Sequence, residues 1–377
     1  MPNISNYFWN NLKPFSSNTA IVDTAIDRAV NYEELEIKSQ ALAEKLKLSI
    51  KGMIFLFTTN NSESIISYIA ALKSGNAVLL LDEKLNEEIR NGLIENYKPD
   101  FIISSNSISP ELYSFSFKYE SLNFLRRTES NSINIFPELS VLLSTSGTTG
   151  SPKLVRLAYK NIQSNSESIA DYLQIDETEK PITTLPINYS YGLSVINSHL
   201  LKGATIVLTE KSVFFRDFWN LFNEHKCTSF AGVPYTYTML KRIGFDKIEI
   251  PTLKYFTQAG GKLSEEFIKH FNEYAKQNHK KFYVMYGQTE ATARITYVPP
   301  EKLSDKIGSI GISIPNGELK IMNGGNEVTK SNEVGEILYK GDNVMLGYAE
   351  TIVDLSKADE LNGMLSTGDL GYKDEDG

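Results

Sequence analysis

One run of residues constrains this chain more than any other: Ser144-Thr145-Ser146-Gly147-Thr148-Thr149-Gly150-Ser151-Pro152-Lys153. It follows Val141-Leu142-Leu143, an apolar run that reads as a buried strand, and it precedes an amphipathic segment. Glycines let the backbone approach an anion closely, and successive N–H groups then cradle phosphate oxygens. The hydroxyls add donors, and Lys153 adds a mobile positive charge. A flexible surface linker has a similar composition, but it explains neither the strand before the run nor the segment after it. The run is not a Walker A loop, because Pro152 stands before the lysine and no Gly-Lys-Ser/Thr triplet occurs here. A strand ending in a phosphate-cradling loop belongs to α/β architecture.

Periodicity elsewhere agrees. Leu35, Leu42 and Leu46 at helical spacing predict a helix over 32–48, and Ile65, Ile69 and Leu72 predict another over 62–73. Short apolar runs at 53–58, 77–81 and 101–103 read as buried strands between them. Strand and helix alternating through short connections imply a parallel sheet covered on both faces. Residues 104–136, rich in Ser and Asn, read as a surface excursion. Beyond the loop, helices are expected over 161–172, 193–201 and 263–277, with strands at 181–185, 205–208 and 228–231. Past Pro299-Pro300 the segments shorten and glycines multiply, which predicts a small β subdomain that includes strands at 318–321 and 337–340. The expected units are 1–180, 181–300 and 301–377, with interleaving allowed.

The totals exclude several classes. A chain of 377 residues has room for two or three cores, and 41% apolar with 22% charged residues is a globular composition. A net charge of −8 without long single-sign blocks argues against nucleic acid as a partner. Cys227 is the only cysteine, so neither an internal disulfide nor a cysteine zinc cluster is available. No apolar run approaches the ~18 residues of a membrane span, and the N-terminus has no signal-peptide pattern. A cytoplasmic location is the expectation.

Two more constellations carry chemistry. Tyr286-Gly287-Gln288-Thr289-Glu290 follows the strand-like 282–285. Its tyrosine suits a purine face, its glycine a close approach, its threonine a phosphate oxygen and its glutamate a Mg²⁺ ion. Taken alone, a strand end with a helix-capping threonine explains it equally well. Ser366-Thr367-Gly368-Asp369-Leu370 places a carboxylate on a tight turn, where it suits a ribose diol or an ordinary Asp turn.

Together, in this order, the three motifs resemble the signatures of the adenylate-forming superfamily: acyl- and aryl-CoA synthetases, peptide-synthetase adenylation domains and luciferases. The resemblance covers nearly the whole chain. It implies a layered αβαβα arrangement of two sheet-and-helix subdomains plus a small β-barrel-like one. It implies ATP and Mg²⁺ bound by Thr145, Ser146, Gly147, Thr148, Thr149, Gly150, Gly260, Gly261, Tyr286, Gly287 and Asp369. Lys153, Thr289 and Glu290 inherit the catalytic roles, with Glu290 on the metal. Ala259-Gly260-Gly261 resembles the loop beside the adenine, and Gly232-Val233-Pro234 a wall of the acyl channel. Tyr189, Ser190, Gly192, Val233, Pro234 and Ala259 are then the candidate substrate pocket. Gly335-Glu336-Ile337 and Gly347-Tyr348 match landmarks of the β subdomain, read as structural turns.

Two departures refine this. Amino-acid-activating members usually carry Asp where Ser190 stands, and a hydroxyl does not replace that partner for a buried ammonium. A fatty, aryl or short acyl acid with a neutral tail is therefore favoured. The chain also stops at Gly377, whereas family members continue into a C-terminal domain of about 100 residues bearing a catalytic lysine. The expectation is a chain that binds nucleotide, needs that missing domain as a partner, and is weakly active alone. The implied reaction joins a small carboxylic acid to AMP, then to a thiol of coenzyme A or a carrier protein's phosphopantetheine. Two other readings stay open: peptide-synthetase-like activation of an amino or hydroxy acid, and a non-catalytic adenine-nucleotide-binding module.

Overall fold

The computed structural model describes residues 5–129, 133–144 and 153–377. Thr145, Ser146, Gly147, Thr148, Thr149 and Gly150, the heart of the expected phosphate loop, lie outside the described residues, as do Ser151 and Pro152.

Eight α-helices occur among the described residues: α1 (Tyr32–Leu46), α2 (Ser62–Ser74), α3 (Glu87–Tyr97), α4 (Tyr159–Tyr172), α5 (Ser190–Leu201), α6 (Arg216–Glu224), α7 (Pro234–Ile243) and α8 (Glu265–Gln277). Their ends follow local chemistry. The Asn61 side chain accepts from Ser64 N at the start of α2, and Gly75, at φ 80°, closes it. Asn31 caps α1, and Ser264 caps α8, in the same way. Pro234 opens α7, where its missing N–H costs nothing.

The strands form three sheets. The first runs, in spatial order, Gly347–Ala349, Leu154–Ala158, Leu139–Ser144, Ala77–Asp82, Met53–Thr58, Phe101–Ser104, Leu122–Arg127, Tyr113–Tyr119. Its centre is parallel and its flanks antiparallel. The second runs Ile312–Ser313, Thr296–Val298, Lys281–Tyr286, Tyr255–Gln258, Ser229–Gly232, Pro181–Ile182, Ile206–Leu208, Thr19–Asp23, Arg28–Asn31. The third is antiparallel: Asn326–Glu327, Glu318–Asn323, Gly335–Lys340, Met364–Gly371. The sheets interleave along the chain. Thr19–Asn31 joins the second sheet, while Gly347–Ala349 returns from near the end to edge the first.

Strand alternation sets the layers. Ile54, Leu56, Val78 and Leu80 face a core shared with α1, α2, α4 and α5 and with Ile21, Ile206 and Leu208 of the second sheet. Phe55, Phe57, Leu79 and Leu81 face the opposite way, onto Leu93, Ile94 and Tyr97 of α3. On the far side of the second sheet, Phe230, Phe256 and Phe282 pack on α6, α7 and α8. The order is helix, sheet, helices, sheet, helices, the expected αβαβα layering.

Two expectations need correction. Residues 104–136 are not merely a surface excursion. Their hairpin, Tyr113–Tyr119 with Leu122–Arg127, extends the first sheet beyond Phe101–Ser104, and Phe124 is fully buried. Gly347-Tyr348 belongs to the first sheet, where Tyr348 pairs with Val155, rather than to the small β unit.

Candidate active site

Three parallel strands of the second sheet end at the same edge, and each delivers one expected segment. Ser229–Gly232 leads into Val233-Pro234, Tyr255–Gln258 into Ala259-Gly260-Gly261, and Lys281–Tyr286 into Gly287–Glu290. Parallel α/β sheets bind ligands outside the carboxyl ends of their strands.

On one flank, the Tyr286 hydroxyl donates to Asp369 Oδ2 at 2.6 Å. Gln288 Nε2 donates to the same oxygen at 3.0 Å and to Thr367 O at 3.0 Å. Residues 83 apart in sequence thus meet, because Met364–Gly371 of the third sheet carries Asp369 across. Burial and the Asp369 charge both push the Tyr286 phenol upward, so it stays a protonated donor.

In the middle, Thr289 Oγ1 and Ser190 Oγ lie 3.1 Å apart. Helix α5 begins at Ser190, three residues earlier than the sequence predicts, with Tyr189 as its N-cap. Tyr189 faces the glycine loop: a Cβ placed on Gly260 would lie 2.5 Å from the Tyr189 hydroxyl and 3.1 Å from Val233 Cγ1. Gly260 has φ 76° and Gly261 φ 147°, conformations that exclude ordinary side chains. Pro234 packs on Gly261, with 3.1 Å left for a Cβ, and Ala259 is buried behind. Gly192 makes a different contact from the rest of the expected pocket. A Cβ there would sit 2.1 Å from the Pro186 carbonyl, so Gly192 serves the turn that leads into α5.

On the other flank, the Tyr348 hydroxyl donates to Glu290 Oε1 at 2.8 Å, and the Glu290 backbone carbonyl accepts from Met345 N at 2.8 Å. Lys153, the lysine of the expected phosphate loop, pairs with Glu350 at 2.9 Å, and its ammonium lies 5.9 Å from the Tyr348 ring centroid. Burial and Glu290 raise the Tyr348 pKa, which keeps that hydroxyl a donor too.

The loop between Glu290 and Arg294 is clamped from below. Asn343 Nδ2 donates to Ala291 O and Arg294 O, both at 2.8 Å, while its Oδ1 accepts from the Tyr339 hydroxyl at 2.8 Å. Thr292 and Ala293 take φ 59° and 133°. The turn packs directly on Gly287, where an added Cβ would meet Ala293 O at 1.9 Å. The signature glycine is required by this close approach.

Among the described residues no group of three or more His, Cys, Asp or Glu side chains is placed to hold a metal ion. Glu290 fits a Mg²⁺ ion carried in by a nucleotide, since such ions use one or two carboxylates plus phosphate oxygens. Its Oε2 has no hydrogen-bond partner among the described residues. No helix among them is long and apolar enough to cross a membrane.

Sequence reading missed Gln288, Tyr348 and Glu350 as site residues. Gln288 lies inside a quoted motif and Tyr348 inside another, but nothing in the spacing announces a contact between residues 290 and 348.

Comparison with known proteins places this arrangement. Residues 8–349 match the model of the family described as AMP-binding enzyme. The 2-succinylbenzoate–CoA ligase of Bacillus subtilis (strain 168) is 28% identical over 360 residues, spanning 93% of this chain and 72% of that protein. The 4-coumarate–CoA ligase 1 of Solanum tuberosum is 26% identical over 415 residues, spanning 99% of this chain and 74% of its own. Among solved structures, the o-succinylbenzoate coenzyme A synthetase of Bacillus subtilis in complex with ATP and magnesium ion superposes with a TM-score of 0.75. It shares 24% identity, and the match covers 99% of this chain and 78% of that one. The chain belongs to the AMP-binding enzyme family.

Proposed function

We propose the following division of labour for the ATP-dependent, AMP-forming acid–thiol ligation that this chain performs. ATP lies along the carboxyl edge of the second sheet. Asp369, oriented by Tyr286 and Gln288, receives the ribose diol, and the Tyr286 ring and the Gly260-Gly261 loop flank the base. Thr289 addresses the α-phosphate, and Lys153 with the loop 145–150 addresses the outer phosphates. Glu290 holds Mg²⁺, which when bound neutralises charge on the phosphate oxygens.

The acid enters between Tyr189, Ser190 and Val233. A carboxylate is already nucleophilic, so no general base is required. One carboxylate oxygen attacks the α-phosphorus, the bond from that phosphorus to the bridging oxygen breaks, and pyrophosphate leaves with the electron pair. Rate comes from positioning and from charge stabilisation. The coenzyme A thiol then attacks the acyl carbon, the bond from that carbon to the AMP phosphate oxygen breaks, AMP leaves with the electron pair, and the thiol proton passes to water. A carrier protein's phosphopantetheine presents the same thiol and is the finer alternative.

The observation that carries this reading is the meeting of three distant segments. Residues 189–190, 286–290 and 348–369 join through Ser190–Thr289, Tyr286–Asp369 and Tyr348–Glu290. The test is acid-dependent exchange of pyrophosphate into ATP over a panel of fatty, aryl, hydroxy and amino acids. Exchange with one acid class supports the reading, and tight ATP binding with no exchange favours a nucleotide sensor.

A further inference from the structure

Away from the nucleotide edge, the first sheet carries a cavity of about 500 Å³. One wall is the face of α3 that bears Arg90, Ile94 and Lys98, four residues apart. The other is the loop 108–113, and Arg127, at the end of the hairpin, completes the lining. Both walls are tied in place. The Tyr97 hydroxyl donates to Ala349 O at 3.0 Å, and Asn96 Nδ2 donates to Glu350 O at 2.7 Å, which fixes α3. Ahead of the loop, Asn106 N donates to Glu83 Oε1 at 3.0 Å. At its end, Thr128 donates to Leu112 O through N at 2.9 Å and through Oγ1 at 3.0 Å, and the Tyr113 hydroxyl donates to Pro99 O at 2.7 Å.

Charge in this cavity is sorted by depth. The side chains of Arg127 and Arg90 are 11% and 17% exposed, whereas Glu87 is 77% and Glu129 62% exposed. Glu95 and Glu111 also stand in solvent. Arg90 keeps Glu87 at 2.9 Å, but Arg127 is poorly supplied. Its Nε is buried and bonds to nothing. Among the described residues the one carboxylate within 4.0 Å of it is Glu129, at 3.7 Å, too far for a good hydrogen bond. Asp100 attracts it from farther away, and Asp100 Oδ2 already accepts from Met53 N at 2.8 Å. Enclosed charges are ordinarily paired, so the inner end of the cavity is cationic and short of an anion. Ile94, Ile108 and Leu112 make the rest of the lining apolar.

We propose that this cavity is a second ligand site, sharing no residue with the nucleotide edge, for a small organic anion: a carboxylate or phosphate head on an apolar body. The head meets Arg127 and Arg90, and the body lies on Ile94, Ile108 and Leu112. A guanidinium receives either oxyanion through two parallel N–H bonds. The volume falls within the ~300–1,000 Å³ usual for small-molecule sites. The site goes beyond the acid-activation reading and does not depend on it.

The test titrates para-bromophenylacetate, para-bromophenyl phosphate, inorganic phosphate and the neutral para-bromobenzyl alcohol into the native chain by calorimetry, without ATP. At least one brominated anion is expected to bind with a Kd of about 0.1 mM, and the alcohol ~10-fold more weakly or not at all. The tighter head identifies the ligand as a carboxylate or a phosphate ester. Because the nucleotide edge also receives carboxylates, the place of binding is read separately, from bromine anomalous scattering in crystals of the native chain. The expected peak lies between α3 and residues 108–112. Arg127→Gln and Arg90→Gln are each expected to weaken binding ~10-fold. Bromine found only at the nucleotide edge, binding unchanged in both variants, or no saturable binding of either brominated anion overturns the proposal. Inorganic phosphate or the alcohol binding as tightly as the brominated anions also overturns it. The crystal arm needs only the native chain should Arg127→Gln fail to fold.

Discussion

At the scale of single residues, the site depends on a few hydrogen bonds between segments far apart in sequence. Asp369 is exposed and accepts from both Tyr286 and Gln288, so it contributes little to folding and much to the shape of the edge that would meet a ribose. Asp369→Asn is expected to raise the KM for ATP by ~10-fold or more, consistent with the ~1.5–3 kcal/mol typical of a hydrogen bond to a charged group. The melting temperature should stay within about 2 °C, as is usual for surface changes. Parallel titrations of rate against ATP and of unfolding against temperature check both halves. Gly287 behaves oppositely. Gly287→Ala places a methyl 1.9 Å from the Ala293 carbonyl, which displaces the turn that carries Arg294. A loss of about 1–3 kcal/mol in denaturant unfolding is expected, together with impaired adenylation.

At the scale of elements, Arg156 on the strand Leu154–Ala158 anchors the segment that brings Tyr348 and Glu350 to the site. Its side chain is fully buried and donates to the carbonyls of Leu346 at 3.2 Å, Tyr348 at 3.1 Å and Lys357 at 2.6 Å, besides pairing with Glu360 at 2.5 Å. Arg156→Met removes the donor to the Tyr348 and Lys357 carbonyls, while the Leu346 carbonyl keeps the Glu360 N–H at 2.9 Å and the half-exposed Glu360 carboxylate keeps water. Taking the donor from buried carbonyls costs ~1–3 kcal/mol, measurable by urea unfolding. Of this element level, the sequence shows the helices with clear one-sided periodicity, α1, α2 and α8, and the mainly apolar strands read at 53–58 and 77–81. It hides the hairpin at 113–127, whose strands are largely exposed and rich in Ser, Asn and charge, so that burial is confined to Leu122 and Phe124. It also hides α3, whose apolar face is only Leu93, Ile94 and Tyr97. For the site, Tyr286, Thr289, Glu290 and Asp369 are legible because each stands in a compact motif at a strand end or turn. Tyr348 and Glu350 are not legible, because their roles arise from sheet pairing and loop packing across long stretches of sequence.

At the scale of the whole molecule, stability carries a pH signature from the core between the sheets. His199 on α5 is fully enclosed, with Nδ1 2.7 Å from the Val195 carbonyl and Nε2 3.2 Å from the Tyr255 hydroxyl. Burial lowers its pKa from 6.5 to about 4, against a smaller upward effect of the Val195 bond. The folded chain therefore keeps this imidazole neutral where the unfolded chain takes a proton. The stability it contributes is complete above pH 6.5 and is lost as pH falls toward 4. The interval corresponds to about 3 kcal/mol at ~1.4 kcal/mol per pH unit. Urea unfolding at pH 7 and pH 4.5 should show this loss in the native chain, and a shallower one in His199→Gln. The central claim, that this assembled edge joins a carboxylic acid to AMP, is tested most directly by single-turnover formation of acyl-AMP, with enzyme in excess over ATP and Mg²⁺ present. The account predicts acid-dependent acyl-AMP in the native chain, reduced at least ~100-fold in Glu290→Ala while that variant's unfolding curve is unchanged. Undiminished acyl-AMP formation by Glu290→Ala, or no acyl-AMP from any acid despite bound ATP, would contradict it.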